Sequence, residues 1–260
     1  MKFIPSLLGL VVTSSFAALS LFAQPPDVPD WALPGSASHK QVPPPEGFHR
    51  ASKNFDVPIS LFTGQSDVGS ALVPSSATYD PKEKSYTITS AGYNIWYNRD
   101  EFRFLWKKLS GDVSLAADIS YPNAKGYGDR KAVLIVRQDL DDDSKEAMVA
   151  LHGAGLIHLA GRPEKNAFIK EQCRLAGPEL AADAPLPTAP KRLGIEKHGD
   201  TFTLYISEHG EPLHPYGTPL TLHFDGPFYV GLAFTSHLPA TADVAVLKNV
   251  VLKNAAGKVR

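Results

Sequence analysis

The stretch Val113-Ser114-Leu115-Ala116-Ala117-Asp118-Ile119-Ser120-Tyr121 alternates apolar with lighter side chains without a break. An extended strand points successive side chains to opposite faces, so Val113, Leu115, Ala117, Ile119 and Tyr121 share one face that must be covered. The same beat returns at Phe202, Leu204 and Ile206, and again at Phe228, Val230, Leu232 and Phe234. One buried and one lighter face is the pattern of antiparallel sheets with one covered side. Similar short runs predict strands at 85–89, 102–109, 131–138, 147–152, 156–161, 193–197 and 244–252. Gly111-Asp112 and Gly199-Asp200 supply the backbone shapes that hairpins require. No stretch beyond Phe48 keeps helical spacing for three turns. Ten strands in one domain predict an all-β, two-sheet antiparallel jelly-roll sandwich.

The composition points the same way. The 22 prolines and 20 glycines among 260 residues suit many short elements and turns. A formal net charge of −1 lacks the basic excess that nucleic acid as a main partner would demand. Cys173 is the single cysteine, so no disulfide forms within the chain and the core alone must hold the fold. Its burial as a small apolar residue is favoured over a reactive thiol or an intermolecular bridge.

Residues 1–23 have the layout of a secretory signal: Lys2, an apolar run from Ile4, and Ala23 before the expected cut. A membrane anchor is the competing reading, weakened by Pro5, Gly9 and Thr13-Ser14-Ser15, and no basic stop-transfer cluster follows. The expectation is a secreted or periplasmic protein with no membrane span after cleavage. Residues 24–47 hold seven prolines and read as an extended leader. Residues 48–260 read as the sandwich domain. Within it the segment 173–190, with four prolines from Pro178 onward, reads as a long loop insertion.

Several motifs resemble a known family. Leu61-Phe62-Thr63-Gly64-Gln65-Ser66-Asp67-Val68-Gly69 is followed by Gly92-Tyr93-Asn94-Ile95-Trp96, Asp100-Glu101-Phe102-Arg103-Phe104-Leu105-Trp106-Lys107, Arg137-Gln138 and Leu151-His152-Gly153. This order resembles the secreted concanavalin A-like lectin/glucanase domain of the DUF1349 type, often found ahead of Tol-type β-propellers. The resemblance implies a jelly-roll whose concave sheet is where members of the superfamily bind or cut glycans. It hands over no activity.

A candidate surface follows from the residues themselves. Gly153-Ala154-Gly155 is a three-residue hairpin loop, which pairs His152 with Leu156, Ala150 with His158 and Met148 with Ala160. Parity then places Glu146, His152, His158 and Arg162 on one face, opposite Ala147, Val149, Leu151, Ile157 and Leu159. Closing the preceding hairpin around 139–143 adds Leu134, Val136, Gln138 and Ser144 to that mixed face. Sugar binding needs flat aromatic faces and planar hydrogen-bonding groups. The candidate ligand-binding residues are therefore Trp96, Glu101, Gln138, Glu146, His152, His158 and Arg162. Trp96 stands against an equal expectation that it is core, and Phe102, Phe104 and Trp106 read as core aromatics at period two. Paired histidines on a sheet are more often hydrogen-bonded surface groups than ligands.

The acidic run Asp139-Leu140-Asp141-Asp142-Asp143-Ser144 invites a calcium reading. Ser144 replaces the glycine an EF-hand loop requires, however, and Ala150 stands where its bidentate Glu belongs, so an acidic hairpin tip is favoured. No cofactor is expected. No Glu-x-Asp-x-x-Glu run, Gly-x-Ser-x-Gly elbow, P-loop or His-Glu-x-x-His is present, so no catalytic residue is assigned. Three readings stay open. The first is an exported non-catalytic module binding carbohydrate or another cell-envelope component. The second is a structural envelope protein, and the third a hydrolase or lyase using the same groove.

Overall fold

The computed structural model of the protein describes Pro43 and residues 49–259. The proposed signal segment lies outside the described residues, as does the leader apart from Pro43. Eighteen strands and no α-helix occur among the described residues. The first sheet runs β1 (Lys53–Phe55), β2 (Gly64–Val68), β7 (Phe102–Leu109), β16 (Phe228–Thr235), β9 (Lys131–Arg137), β10 (Glu146–His152), β11 (Ile157–Arg162) and β12 (Lys170–Leu175). The second runs β15 (His214–Thr221), β14 (Thr201–Ser207), β13 (Lys191–His198), β8 (Val113–Ser120), β17 (Asp243–Asn254), β4 (Ser85–Ser90) and β3 (Ser76–Asp80), with β18 (Gly257–Lys258) pairing β17. Every sheet pairing is antiparallel. This is the expected two-sheet jelly-roll sandwich.

The main core fills the space between the sheets. Leu115, Ile119, Leu204 and Leu247 from the second sheet meet Leu134, Val136, Val149, Leu232 and Phe234 from the first. β8 alternates buried and half-buried residues along its whole length, as its sequence predicts. The central strands of the first sheet differ: β9, β10 and β11 are buried at every position. Their outer face carries a second apolar cluster of Phe102, Phe104, Val133, Ile135 and Met148, covered by Ile95 and Ile169. Ile95 belongs to a small hairpin, β5 (Ile95–Trp96) and β6 (Arg99–Asp100), which roofs part of that face. A sheet roofed by its own chain buries both faces, and period-two patterning cannot announce a roof supplied from elsewhere.

Two local expectations are corrected. The β9–β10 hairpin pairs Arg137 with Glu146 and the Gln138 N–H with the Lys145 carbonyl at 3.0 Å. Its loop is therefore one residue longer than the expected 139–143. A one-residue shift exchanges the faces. Leu134 and Val136 thus lie in the main core, whereas Lys131, Val133, Ile135 and Arg137 share the face of Glu146 and His152. The segment from Cys173 is also not all loop, because β12 runs to Leu175. Cys173 is half-buried on that edge strand against Gly217, whose φ of +68° and contact with the Cys173 sulfur leave no room for a Cβ.

Candidate functional site

One side chain per strand builds the site on the outer face of the first sheet. Lys131 opens β9 and pairs with His152, the last residue of β10. His158 on β11 pairs with Ala150 on one side and with Arg174 of β12 on the other. Side chains of neighbouring strands stand close enough to interact directly or diagonally, so the register makes a row of Lys131, His152, His158 and Arg174. The hairpin 152–156 is the one read from the sequence, with the His152 N–H bonded to the Leu156 carbonyl at 2.8 Å.

Above the row sits Trp96, held by the β5–β6 turn. Tyr97 takes a φ of +52° there, uncommon for a residue with a side chain. Its carbonyl is fixed by the Ile169 N–H at 2.9 Å and by Arg162 at 3.3 Å. Such strain persists only where the surroundings hold it. The indole stacks on His158 with ring centroids 5.3 Å apart and an interplanar angle of 18°. Lys131 Nζ lies 5.3 Å from the same ring. On the other side, buried Arg130 anchors the segment before β9 through Asp243 at 2.5 Å and the Asn123 carbonyl at 2.6 Å, which positions Asp129.

The row, Trp96 and Asp129, with Asn94, Leu156, Glu171 and His237, line an open cavity of about 220 Å³. Drug-sized ligands occupy roughly 300–1,000 Å³. This cavity therefore matches one small ring or the end of a longer chain.

The chemistry of the lining is specific. His158 Nδ1 lies 3.3 Å from Glu171 Oε2, and an ionised carboxylate can only accept, so Nδ1 carries the proton and Nε2 presents a lone pair. That buried Nε2 has no hydrogen-bond partner, and neither ring nitrogen of His152 has one. His152 Nδ1 faces Asp129 Oδ1 at 3.6 Å, beyond hydrogen-bond reach. Burial, reinforced by Lys131, lowers the His152 pKa to about 4. Burial and the neighbouring His152 push His158 well below the usual histidine range. Both imidazoles are neutral at pH 7. Burial also lowers Lys131 to about 8, against the attraction of Asp129 and Asp100. Native proteins seldom leave buried polar atoms unpaired, and three at one cavity mark a place where hydroxyl groups or water complete the bonding.

The other sequence-derived candidates lie elsewhere. Glu146 and Arg162 share the predicted face but belong to a sealed network. Asp100 accepts from Arg137 at 2.7 Å and from Arg162 at 2.8 and 2.7 Å, while Glu146 pairs with Arg137. All four side chains are fully buried. Glu101 is buried too, bonded to Arg50 at 2.8 Å and to the Tyr93 N–H at 3.0 Å, and burial raises its pKa. Gln138 braces a loop, donating to the Asp225 carbonyl at 2.7 Å and accepting the Asp225 N–H at 2.9 Å. The structure thus brings together Trp96, His152 and His158, and adds Lys131, Asp129, Glu171 and Arg174. Lys131 could have been found by placing the β9–β10 loop correctly. Glu171 and Arg174 could not, since a register irregularity between Leu159 and Ala160 brings both to one face against simple alternation.

At the acidic tip, Lys165 occupies the middle of the aspartates. Its Nζ pairs with Asp141 and lies 3.4 Å from Asp143 and 3.6 Å from Asp139. Among the described residues no group of three or more His, Cys, Asp or Glu is arranged to hold a metal ion. No helix among them is long and apolar enough to cross a membrane.

No protein-family model matches the chain, and no curated protein matches its sequence. Solved structures do match in shape. A protein of unknown function from Saccharomyces cerevisiae is 11% identical, with a TM-score of 0.52 over 71% of this chain and 95% of the other. A carbohydrate-binding module from Bacillus subtilis is 15% identical over 70% of this chain and 92% of the other, with a TM-score of 0.45. A xylan β-1,4-xylosidase from Bacillus halodurans is 15% identical over 88% of this chain and 41% of the other, with a TM-score of 0.49. At such identities the likeness extends to the fold alone, a two-sheet antiparallel jelly-roll sandwich.

Proposed function

We propose that the chain is an exported, non-catalytic module that binds carbohydrate, as a single sugar unit or chain end, in the cavity beneath Trp96. The observation that carries this is the set of buried, unpartnered imidazole nitrogens on His152 and His158 facing a small polar cavity. A sugar ring offers both hydroxyl donors, which Nε2 of His158 needs, and acceptors for an N–H of His152. The edge of Trp96 supplies an apolar wall. Export and a periplasmic or extracellular place rest on the reading of residues 1–23. Kinship with the DUF1349 type rests on the motifs from Leu61 to Gly153. Another cell-envelope component is the alternative ligand.

Calorimetric titration of the purified domain against a panel of cell-wall and plant saccharides tests the reading. Binding to at least one saccharide, weakened about tenfold or more by His158→Ala and by Trp96→Ala, supports it; no binding across the panel overturns it.

One observation favours a hydrolase or lyase instead: Glu171 behind His158, with a lone pair directed forward, has the form of a positioned general base. Hydrolysis by a carboxyl pair would need two groups flanking the bond about 5–9.5 Å apart. Asp100 and Glu146, locked by arginines, are closed to that role. New reducing ends or unsaturated products released by the wild type and lost in His158→Gln would establish the enzymatic reading.

A further inference from the structure

Lys131 is a buried ammonium at the cavity wall, 3% exposed. Its hydrogen bond to the Ile95 carbonyl is long, 3.4 Å. Among the described residues the buried arginines all meet carboxylates: Arg103 meets Asp67, Arg130 meets Asp243, and Arg137 and Arg162 meet Asp100. Among the described residues no carboxylate oxygen lies within 4.0 Å of Lys131 Nζ. Two of the carboxylates nearby are engaged elsewhere. Glu171 is gripped by Arg174 through two bonds, at 2.7 and 2.8 Å, and also meets His158. Asp100 is held by Arg137 and Arg162, and Asp129 attracts Lys131 only from beyond ion-pair distance.

A buried cation with no carboxylate in direct contact is unfavourable, and a ligand can supply that contact. Resting on the carbohydrate reading above, we propose that the ligand is an acidic sugar, a hexuronate whose carboxylate pairs with Lys131. The ring hydroxyls then fall to His158 Nε2 and to His152, next along the row. A neutral hexose would satisfy the imidazoles and leave the ammonium with its weak carbonyl contact. A charge-assisted bond in a desolvated cavity is stronger than a neutral one, so the acid form is preferred.

A pH signature follows. Burial holds the free ammonium near pKa 8, and an incoming carboxylate raises it. Hexuronate affinity is therefore constant from pH 6 to about 7.5, falls above about 8 as Lys131 loses its proton, and is accompanied there by proton uptake. Asp129 and Asp100 attract Lys131, Glu171 and Arg174 line the same cavity, and both histidines, pushed down by burial, stay neutral across this window.

The test titrates the protein with glucuronate, galacturonate and mannuronate, as monomers and short oligomers, beside the matching neutral hexoses at pH 7 and pH 9. At least one hexuronate is expected to bind about tenfold or more tightly than its neutral counterpart at pH 7. The ratio should shrink at pH 9 and collapse to within about twofold in Lys131→Met. Equal binding of acidic and neutral sugars, or a preference that survives both pH 9 and Lys131→Met, overturns the assignment and leaves the carbohydrate reading standing. No binding of either class overturns both. The pH arm uses only wild-type protein, so the test does not depend on the variant folding.

Discussion

Lys131 and His152 face each other across β9 and β10, and burial acts on both in the same direction, toward the uncharged form. The consequences for stability have the same sign, a rise with pH, but fall in separate windows. The folded pKa of His152 is about 4, against roughly 6.5 in the unfolded chain, so between these values the unfolded state binds more protons. Stability is fully present above pH 6.5 and falls as pH drops to 4, by about 3 kcal/mol for this group. Urea denaturation at pH 7 and pH 4.5 should show the loss, and His152→Gln should reduce it, His158 retaining its own share. Lys131 imposes a penalty that is complete below pH 8 and relieved as pH rises toward 10.5. Replacing it with Met should therefore raise stability at pH 7 by about 1–3 kcal/mol, seen as a higher urea midpoint. A residue that weakens the fold while lining a cavity fits a role in binding better than one in packing.

At the scale of elements, what could be read from the sequence depended on how tightly each turn constrains its strands. The Gly153-Ala154-Gly155 loop admits one register, and strict alternation in 147–161 then placed His152 and His158 on a common face. The acidic loop between β9 and β10 admits two, and the choice decides whether Arg137 or Gln138 faces outward. Edge strands hid for other reasons. β15 contains Pro215, Gly217 and Pro219, which read as loop, yet proline is tolerated at a sheet edge where its missing N–H has no ladder to break. β12 alternates exposed and half-buried positions, so no apolar stripe marks it. Nothing local in residues 91–101 announces that the β5–β6 hairpin roofs the sheet, since the roof is held by Asp100 reaching Arg137 and Arg162 from a distant part of the chain. Removing one partner of such a buried network strands the others. Arg162→Met should destabilise the protein by about 3–5 kcal/mol in urea denaturation and, by freeing Tyr97, weaken saccharide binding beyond what the lost stability explains.

For the whole molecule, the sandwich and the site are separable. The sheets hold each other through the main core, and the outer face of the first sheet carries its own cluster and its own cavity. A saturating hexuronate should then raise the melting temperature as binding to the folded state alone requires, by about 2.7 kcal/mol of added stability at one hundred times Kd. Calcium should not. Lys165 already stands among Asp139, Asp141 and Asp143, so melting curves with millimolar calcium and with chelator should coincide.

The cavity depends on arithmetic as much as on chemistry. His152 and His158 meet the same opening because three residues separate the paired ends of their strands. Insert or delete a single amino acid within 153–155 and the downstream strand either slips, turning His158 inward and Leu159 outward, or preserves its pairing by forming a bulge. Loop length at this bend thus decides whether both imidazoles meet the cavity, and natural variants that differ there by one position would keep the architecture while losing that pairing.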